Sequence, residues 1–172
     1  MIKLIGACLT VAACSNMGLT WARVFEKRTR QLISLEGAIQ LLETEILYGA
    51  TPLPEAMEQV SERCDGEVAA LFGHTSEELR KMEGMTAGEA WGRAVTRFLP
   101  ETALNDNDLQ ILRRLGSSLG VSDRDDQAKH LQLAKSQLKI SAVQAETAAR
   151  KNVGIYKYLG FLGGLLLVLV LY

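Results

Sequence analysis

The last fifteen residues, 158–172, form an apolar run without a charged side chain. As a helix rising about 1.5 Å per residue, this run covers about 22 Å, whereas a hydrocarbon core is about 30 Å thick. Residues 154–157 therefore belong to the same segment, with Lys157 reaching toward the headgroups. We predict a transmembrane helix over 154–172. The alternative is a buried core helix, which is disfavoured because no later segment follows to cover it.

A second uncharged stretch, 4–22, is also long enough to cross a bilayer. In one interpretation it is a retained transmembrane helix over 2–22, whose regularly spaced small residues let another helix approach. In the other it is a cleaved signal, because Val11-Ala-Ala-Cys14 is similar to a bacterial lipidation site. Retention is favoured, since Lys3 is the only positive residue before the run and the apolar stretch continues past Cys14.

Positive side chains flank both segments on the side of the intervening domain. They are Arg23, Lys27, Arg28 and Arg30 after the first segment and Arg150, Lys151 and Lys157 before the second. Because positively charged flanks stay in the cytoplasm, we predict that the domain between the segments is cytoplasmic. The protein is then localised to a cell membrane.

Composition favours one helical domain between these segments. The chain has 172 residues, 48% of them hydrophobic and only 6% aromatic, with a net charge of -1. Good helix formers are plentiful, and no basic stretch is long enough to bind nucleic acid. We predict an all-α fold, an antiparallel bundle of about six helices over 23–153 flanked by N- and C-terminal transmembrane helices.

The first bundle helix has a clear buried stripe at helical spacing, formed by Leu32, Leu35, Ile39, Leu42 and Ile46. Three further apolar residues, Ile33, Leu41 and Leu47, are expected to widen it. The helix should run on from the first membrane segment, because no Pro or Gly lies between Thr20 and Leu35.

Turn and capping signals divide the rest of the bundle. Gly49 to Pro54 should end the first helix, with Thr51 as the N-cap of the next. Capping boxes are predicted at Thr75 with Glu78 and at Thr86 with Glu89. Asn105 should cap a helix with aspartate in its first turn. The segment Ser122 to Asp125 should cap a final helix that continues into the last membrane segment.

Catalytic and metal-binding motifs are missing from the sequence. It has no phosphate loop, dinucleotide fingerprint or nucleophile elbow. Cys64, His74 and His130 are too scattered for a metal site, and the three cysteines are predicted to be free thiols. Glu43 and Glu45 lie two residues apart, so a helix points them to different faces and they do not form a carboxylate pair. We expect no enzymatic activity, cofactor or metal.

Taken together, four motifs resemble the stage III sporulation protein AB family. They are Lys3-Leu-Ile-Gly-Ala, Glu43-Thr-Glu-Ile-Leu-Tyr-Gly-Ala-Thr-Pro-Leu-Pro-Glu-Ala56, Leu109-Gln-Ile-Leu-Arg-Arg-Leu-Gly-Ser-Ser-Leu-Gly120 with Ser122-Asp123, and Leu159-Gly-Phe-Leu-Gly-Gly-Leu-Leu-Leu. The resemblance implies a mother-cell membrane protein of endospore-forming bacteria, part of a channel complex joining mother cell and forespore. Its domain is similar to the cytoplasmic domain of the type II secretion platform protein F, which sits between a hexameric ATPase and the envelope apparatus.

The resemblance also implies partners. These are the lipid bilayer, a cytoplasmic ATPase, other sporulation channel proteins and a second copy of the chain. A homo-oligomer is expected because the platform protein carries two such domains on one chain, whereas this chain has one. The candidate docking corner comprises Tyr48, Gly49, Thr51, Pro52 and Leu53, which would otherwise be only a rigid turn between helices.

The glycines of the last segment are a second candidate site. Gly160 and Gly164 are spaced as in membrane helices that pack closely against a partner helix. Ordinary glycine content of a membrane helix is the alternative explanation.

Two functions follow from these observations. The first is a structural platform that couples a cytoplasmic ATPase to an envelope channel. The alternative is a lipidated tether or binding module whose helical domain lies outside the membrane.

Overall fold

The computed structural model describes residues 2–81, 84–120 and 124–171. Six α-helices and one 3-10 turn account for the regular structure, and these residues contain no strand, which confirms the all-α prediction. The elements are α1 (Ile2–Leu47), α2 (Leu53–Arg63), α3 (Gly66–Arg80), α4 (Ala87–Phe98), the 3-10 turn Leu99–Glu101, α5 (Asp106–Ser118) and α6 (Arg124–Leu171).

The chain divides into two compact units. The bundle comprises residues 30–142, and the terminal unit comprises the segments up to Thr29 and from Val143. Helices α1 and α6 contribute to both units, because no residue between Thr20 and Leu35 interrupts α1 and none interrupts α6. The compact bundle is shorter at both ends than the predicted domain of 23–153.

The bundle core is built on α1 and α6. The predicted α1 stripe is buried, and Leu32, Leu35 and Ile39 are completely covered. On α6 the buried residues include Leu131 and Leu138. Burying a leucine side chain contributes about 1.5–3 kcal/mol, so this stripe fixes which face of each helix turns inward.

Three predictions about these stripes need correction, one on α1 and two on α6, for which the helical spacing predicts an inner stripe of Leu131, Ala134, Leu138, Ser141, Ala145 and Ala148. Ile33 does not widen the buried stripe of α1, because 55% of its surface is exposed. It lies about 100° around the helix from Leu32, on the side away from the core. On α6, Ser141 and Ala148 are only half-buried, and Ala142 and Ala149 take the inward positions instead.

Helices α4 and α5 approach each other closely around Trp91. Its indole Nε1 donates to the Leu112 carbonyl at 2.7 Å, and its ring meets Phe72 edge-on at 5.4 Å. A Cβ on Gly116 would lie 2.5 Å from Cδ1 of Trp91, and one on Gly88 would lie 2.8 Å from the Gly116 carbonyl oxygen. These two glycines therefore allow the contact between the helices.

Two of the predicted N-terminal caps are confirmed. Thr86 Oγ1 accepts from the Glu89 amide while the Glu89 carboxylate accepts from the Thr86 amide. Asn105 and Asp108 cap α5 in the same reciprocal way. The hydrogen bonds of the first box lower the pKa of the Glu89 carboxyl.

Two further predicted caps have different outcomes. The Thr75 capping box is wrong, because α3 begins at Gly66 and Thr75 lies buried inside it, donating to the Leu71 carbonyl at 2.8 Å. The predicted cap of α6, Ser122 to Asp125, includes residues 122 and 123, which lie outside the described residues.

In the terminal unit, α1 and α6 meet through stacked aromatic rings. Tyr156 lies between Trp21 and Phe25, with ring centroids 6.3 Å and 5.6 Å apart, respectively. Among the described residues, no helix combines the length and the apolar character that a bilayer crossing requires. The structure therefore does not support the predicted transmembrane helices over 2–22 and 154–172.

Candidate docking surface

Residues 31–48, which follow the exposed Arg30, have an uncharged outer face. Between residues 31 and 48 the exposed positions are Ile33, Gly37, Gln40, Thr44 and Tyr48, spaced by four, three, four and four residues. This spacing places them along one line of the helix, opposite the buried stripe. We call these five residues the outer α1 face. Two of them are large, and Tyr48 is 84% exposed.

Helices α2 to α5 differ in this respect. Each of α2, α3, α4 and α5 exposes charged side chains, for example Glu55, Glu77, Arg93 and Arg113. Charged outer faces are usual for helices that contact only water. Unlike the outer faces of α2 to α5, the outer α1 face is therefore suited to contact another apolar or uncharged surface.

The turn after α1 positions Tyr48 at the end of this face. The amides of Tyr48 and Gly49 both donate to the Thr44 carbonyl, at 2.9 Å and 3.3 Å. A Cβ on Gly49 would lie 2.7 Å from the Glu45 carbonyl oxygen, so only glycine fits here. Ala50 then takes a positive φ of 49°, which a non-glycine residue adopts at a conformational cost.

Glu45 holds this turn against α2. Its carboxylate accepts from Thr51 Oγ1 at 3.2 Å and from Arg63 Nη1 at 3.2 Å. The Gln59 amide, oriented with its nitrogen toward Glu45, donates to both carboxylate oxygens at 3.0 Å. Because these partners come from the turn and from α2, Glu45 makes the corner between the two helices rigid.

On the opposite side of α1, Glu43 connects this helix to α6. Its carboxylate accepts from Lys135 Nζ at 2.6 Å and from Gln132 Nε2 at 2.9 Å, both on α6. Glu43 is nearly buried, so this charge-assisted pair is stronger than a typical surface ion pair. The prediction that Glu43 and Glu45 point to different faces is confirmed.

A groove of about 490 Å³ borders the outer α1 face. Gly37, Leu41 and Thr44 form its α1 wall, and Arg63 and Cys64 at the end of α2 form the other. A Cβ on Gly37 would have no atom within 4 Å, so nothing in the described chain uses the space that this glycine leaves.

The cysteine that lines this groove is not activated as a nucleophile. Burial, with a smaller effect from the charge of Asp65, raises the pKa of the Cys64 thiol. The thiol is therefore protonated at neutral pH, whereas a cysteine nucleophile needs to be a thiolate. Within the described residues, no group of three or more His, Cys, Asp or Glu side chains is placed to hold a metal ion.

The structure brings the predicted corner residues together at the α1–α2 turn. Tyr48, Gly49 and Pro52 are exposed, whereas Thr51 and Leu53 are half-buried. Thr51 does not cap α2, because Pro52 holds the N-cap position without a side-chain hydrogen bond and the Thr51 hydroxyl is used by Glu45. The corner therefore has a structural role in addition to the docking role predicted for it.

Sequence reasoning misses the remainder of the surface. It does not recognise Ile33, Gly37, Gln40 and Thr44 as one face, because the apolar character of Ile33 assigns that residue to the core. Their shared lack of charge at helical spacing, with a glycine in mid-helix, is the signal that could have found them.

The second predicted site lies on α6 in the terminal unit. Gly164 is buried there, and the surroundings of Gly160 lie outside what the structure describes. Gly163, which was not predicted, has free space beside it, because a Cβ added to this residue would have no atom within 4 Å. Gly163 lines an apolar groove of about 350 Å³ together with Met17, Trp21 and other residues of α1 and α6.

Comparisons with known proteins bear on the whole chain. A family profile described as stage III sporulation protein AB matches residues 3–172. A Bacillus subtilis (strain 168) protein of that description is 38% identical over 171 residues, which are 99% of each chain. A solved structure with the same description matches with a TM-score of 0.68 at 35% identity, covering 72% of this chain and 97% of that one.

Proposed function

The chain belongs to the stage III sporulation protein AB family, and on that premise we propose that it is a non-enzymatic platform component of a sporulation-specific membrane assembly. The observation that supports this proposal best is the outer α1 face. It is exposed and uncharged, it borders a groove, and it ends at a rigid corner. A preorganised surface of this kind contributes affinity because little side-chain or loop entropy is lost on binding.

Within this surface, Ile33 and Tyr48 are the proposed anchors. Both are large and exposed, and tyrosine is among the residues that contribute most to binding at protein interfaces. The Glu45 contacts hold the turn that follows Tyr48 against α2. The partners we propose are other channel proteins and, by the resemblance to the type II secretion platform, a cytoplasmic ATPase.

The test replaces the native copy in a spore-forming host by variants of the full chain. Ile33→Asp or Tyr48→Asp should lower the yield of heat-resistant spores at least tenfold, because each places a charge on the docking surface. Gln110→Asp is the matched control, since Gln110 is exposed on α5, away from that face. Circular dichroism checks that all three variants fold. Normal sporulation with Ile33→Asp would refute the proposed surface.

Contact with the partners is measured in the same strains. Capture of the tagged chain from solubilised membranes should recover the ATPase with the parent protein and with Gln110→Asp. Recovery should fall with Tyr48→Asp. Equal recovery from all three strains would mean that the ATPase does not bind at this surface.

We also propose that the terminal unit holds the protein at the cell membrane. Its described surface carries several large exposed apolar side chains, among them Met17, Leu159, Leu162, Leu166 and Leu169. Soluble proteins rarely expose so many apolar groups together, and lipid is one environment that stabilises them.

Charge substitutions on α6 test this location. Leu159, Leu162 and Leu166 share one side of the helix, so replacing all three by Glu should move the protein from the membrane fraction to the soluble fraction. The control replaces Leu133 and Ile140 by Glu, because both are exposed on the bundle part of the same helix. Membrane retention of the triple variant would contradict the proposal.

The bundle is proposed to lie on the cytoplasmic side, as the resemblance of its domain to the cytoplasmic domain of the type II secretion platform protein F implies. Glu77→Cys provides an exposed thiol on α3, in a chain whose Cys8, Cys14 and Cys64 are replaced by Ser. In intact cells this thiol should resist a membrane-impermeant reagent and react after lysis. Labelling before lysis would place the bundle outside the membrane.

A further inference from the structure

The apolar groove between α1 and α6 in the terminal unit is long and narrow. Trp21 and Tyr156 line one end, and Leu167, eleven residues after Tyr156, lies about 16 Å farther along α6. Over that length, a volume of about 350 Å³ corresponds to a mean cross-section of about 22 Å². A helix with its side chains is about 10–12 Å wide and cannot enter such a groove. A hydrocarbon chain, whose carbons keep about 4 Å from their neighbours, can enter it.

The groove offers such a chain apolar surroundings along its length. Met17, Leu159 and Leu167 form part of its walls, and none of the described residues that line it is charged. Gly163 leaves the middle of the groove open, because a Cβ at this position would have no atom within 4 Å. The acyl chains of one leaflet reach through half of a hydrocarbon core of about 30 Å, which is about 15 Å and close to the length of the groove.

The character of the terminal unit changes in order from the groove toward Arg28. Tyr156 is stacked between Trp21 and Phe25, so aromatic rings connect the two helices at the end of the groove. Arg28 follows Trp21 by seven residues, about two helical turns, and therefore lies on the same line of α1. Aromatic side chains favour the boundary between acyl chains and headgroups, and basic side chains favour anionic headgroups. The sequence of apolar, aromatic and basic groups therefore matches that of a phospholipid environment.

We propose that this groove binds one acyl chain of an anionic phospholipid, whose phosphate lies beyond the aromatic rings and accepts hydrogen bonds from Arg28. Arg28 already has an interaction within the chain, but a guanidinium group has five N–H donors and can keep that contact while it binds a phosphate. Residues 23–28 contain three basic side chains and one acidic side chain, so the surroundings of the phosphate are positive. The inference rests on the proposed membrane location of the terminal unit.

A photoactivatable lipid tests the groove in the full chain. The protein is incorporated into phosphatidylcholine vesicles that contain a small fraction of phosphatidylglycerol with a diazirine in the middle of one acyl chain. After illumination, mass spectrometry should find the label on residues 14–21 and 156–167. Gly163→Leu should lower this labelling at least fivefold, because the new side chain fills the groove. Gly154→Leu is the matched control, because Gly154 also lies on α6 without an atom within 4 Å of a Cβ but is not among the groove residues.

Two outcomes would overturn the lipid as occupant. One is equal labelling of the parent chain and Gly163→Leu, provided that circular dichroism shows the same helical content for both. The other comes from benzoylphenylalanine introduced in place of Leu159, which lines the groove and is 59% exposed. Illumination in living cells should give lipid adducts at this position. A high yield of adducts with another polypeptide would assign the groove to a membrane helix of a partner instead.

The headgroup is tested with two lipids that carry the same diazirine chain. Phosphatidylglycerol should give at least fivefold more adduct than phosphatidylcholine, and Arg28→Gln should reduce that preference at least threefold. Arg23→Gln is the control and should leave the preference unchanged, because Arg23 follows Trp21 by two residues and lies on the other side of α1. Equal labelling by the two lipids with the parent chain would overturn the assignment of an anionic headgroup.

These results are distinguishable from those that test the proposed membrane location. Gly163→Leu retains Leu159, Leu162 and Leu166, so it should remain in the membrane fraction. A parent chain that is found in the membrane fraction but is not labelled in the groove refutes the lipid site alone. A parent chain in the soluble fraction refutes the membrane location and the lipid site with it.

Discussion

The α4–α5 contact and the outer α1 face both contain helical glycines, but the space that a Cβ would occupy is filled by neighbouring atoms only at the α4–α5 contact. At Gly116 a Cβ would collide with Trp91, and at Gly88 it would collide with the backbone of α5. At Gly37 the corresponding space is empty. The first two glycines thus permit close packing between two helices of the chain. Gly37 weakens its helix, and no packing contact within the described chain compensates for that loss of stability.

This comparison separates packing from recognition. A mid-helix glycine is destabilising by about 0.5–1 kcal/mol relative to alanine, and a close packing contact that only glycine permits can compensate for this loss. Helices α4 and α5 provide that contact within the bundle. At Gly37 the described chain supplies no such contact, and we propose that another molecule supplies it.

The largest effect on stability is expected when the side chain at the centre of the α4–α5 contact is removed. Trp91→Ala should lower the free energy of unfolding by about 3–5 kcal/mol, because it leaves a cavity and removes the donor to the Leu112 carbonyl. Chemical denaturation followed by circular dichroism measures the change. Trp21→Ala is the control, since Trp21 is 53% exposed in the terminal unit. Equal losses from the two variants would show that the α4–α5 contact is not a particular source of stability.

A smaller loss of stability should follow when an extra methyl group is placed in the α4–α5 contact. Gly116→Ala places a methyl group against the Trp91 ring and should cost about 1–3 kcal/mol, because the well-packed core must shift to admit it. The measurement is again denaturation, with Gly92→Ala as the control on the opposite helix. If Gly116→Ala were as stable as the parent chain, the α4–α5 distance would not depend on this glycine.

Much of the bundle can be predicted from local signals. The stripe through Leu35 and Leu42 repeats at helical spacing, and Thr86 with Glu89 forms a cap from residues three apart, so both are properties of short segments. Thr75 has the same cap spacing, yet it lies inside α3, because packing of the preceding Leu71 and Phe72 extends that helix from Gly66. Tertiary burial there outweighs the local capping signal.

The candidate site is predictable only in part, for a related reason. The turn at Gly49 is marked by its own residues, so its position follows from the sequence. The side of α1 on which Ile33 lies depends on which neighbours α2 and α6 cover, and apolar character alone places it in the core. Likewise, Gly37 and Gly116 look alike in the sequence, since the atoms that distinguish them come from other helices.

The smallest expected effect gives the sharpest contrast between these glycines. In dilute, monomeric protein, Gly37→Ala should raise the free energy of unfolding by about 0.5–1 kcal/mol, because alanine is the better helix former and its methyl group meets no neighbour. Gly92→Ala should give a similar gain.

Capture of the tagged chain from solubilised membranes then distinguishes the two positions. A methyl group on residue 37 obstructs a partner that approaches the outer α1 face, so recovery of the ATPase should fall with Gly37→Ala although the variant is more stable than the parent chain. Recovery with Gly92→Ala should remain that of the parent chain, and equal recovery with the two variants would mean that this partner does not approach Gly37.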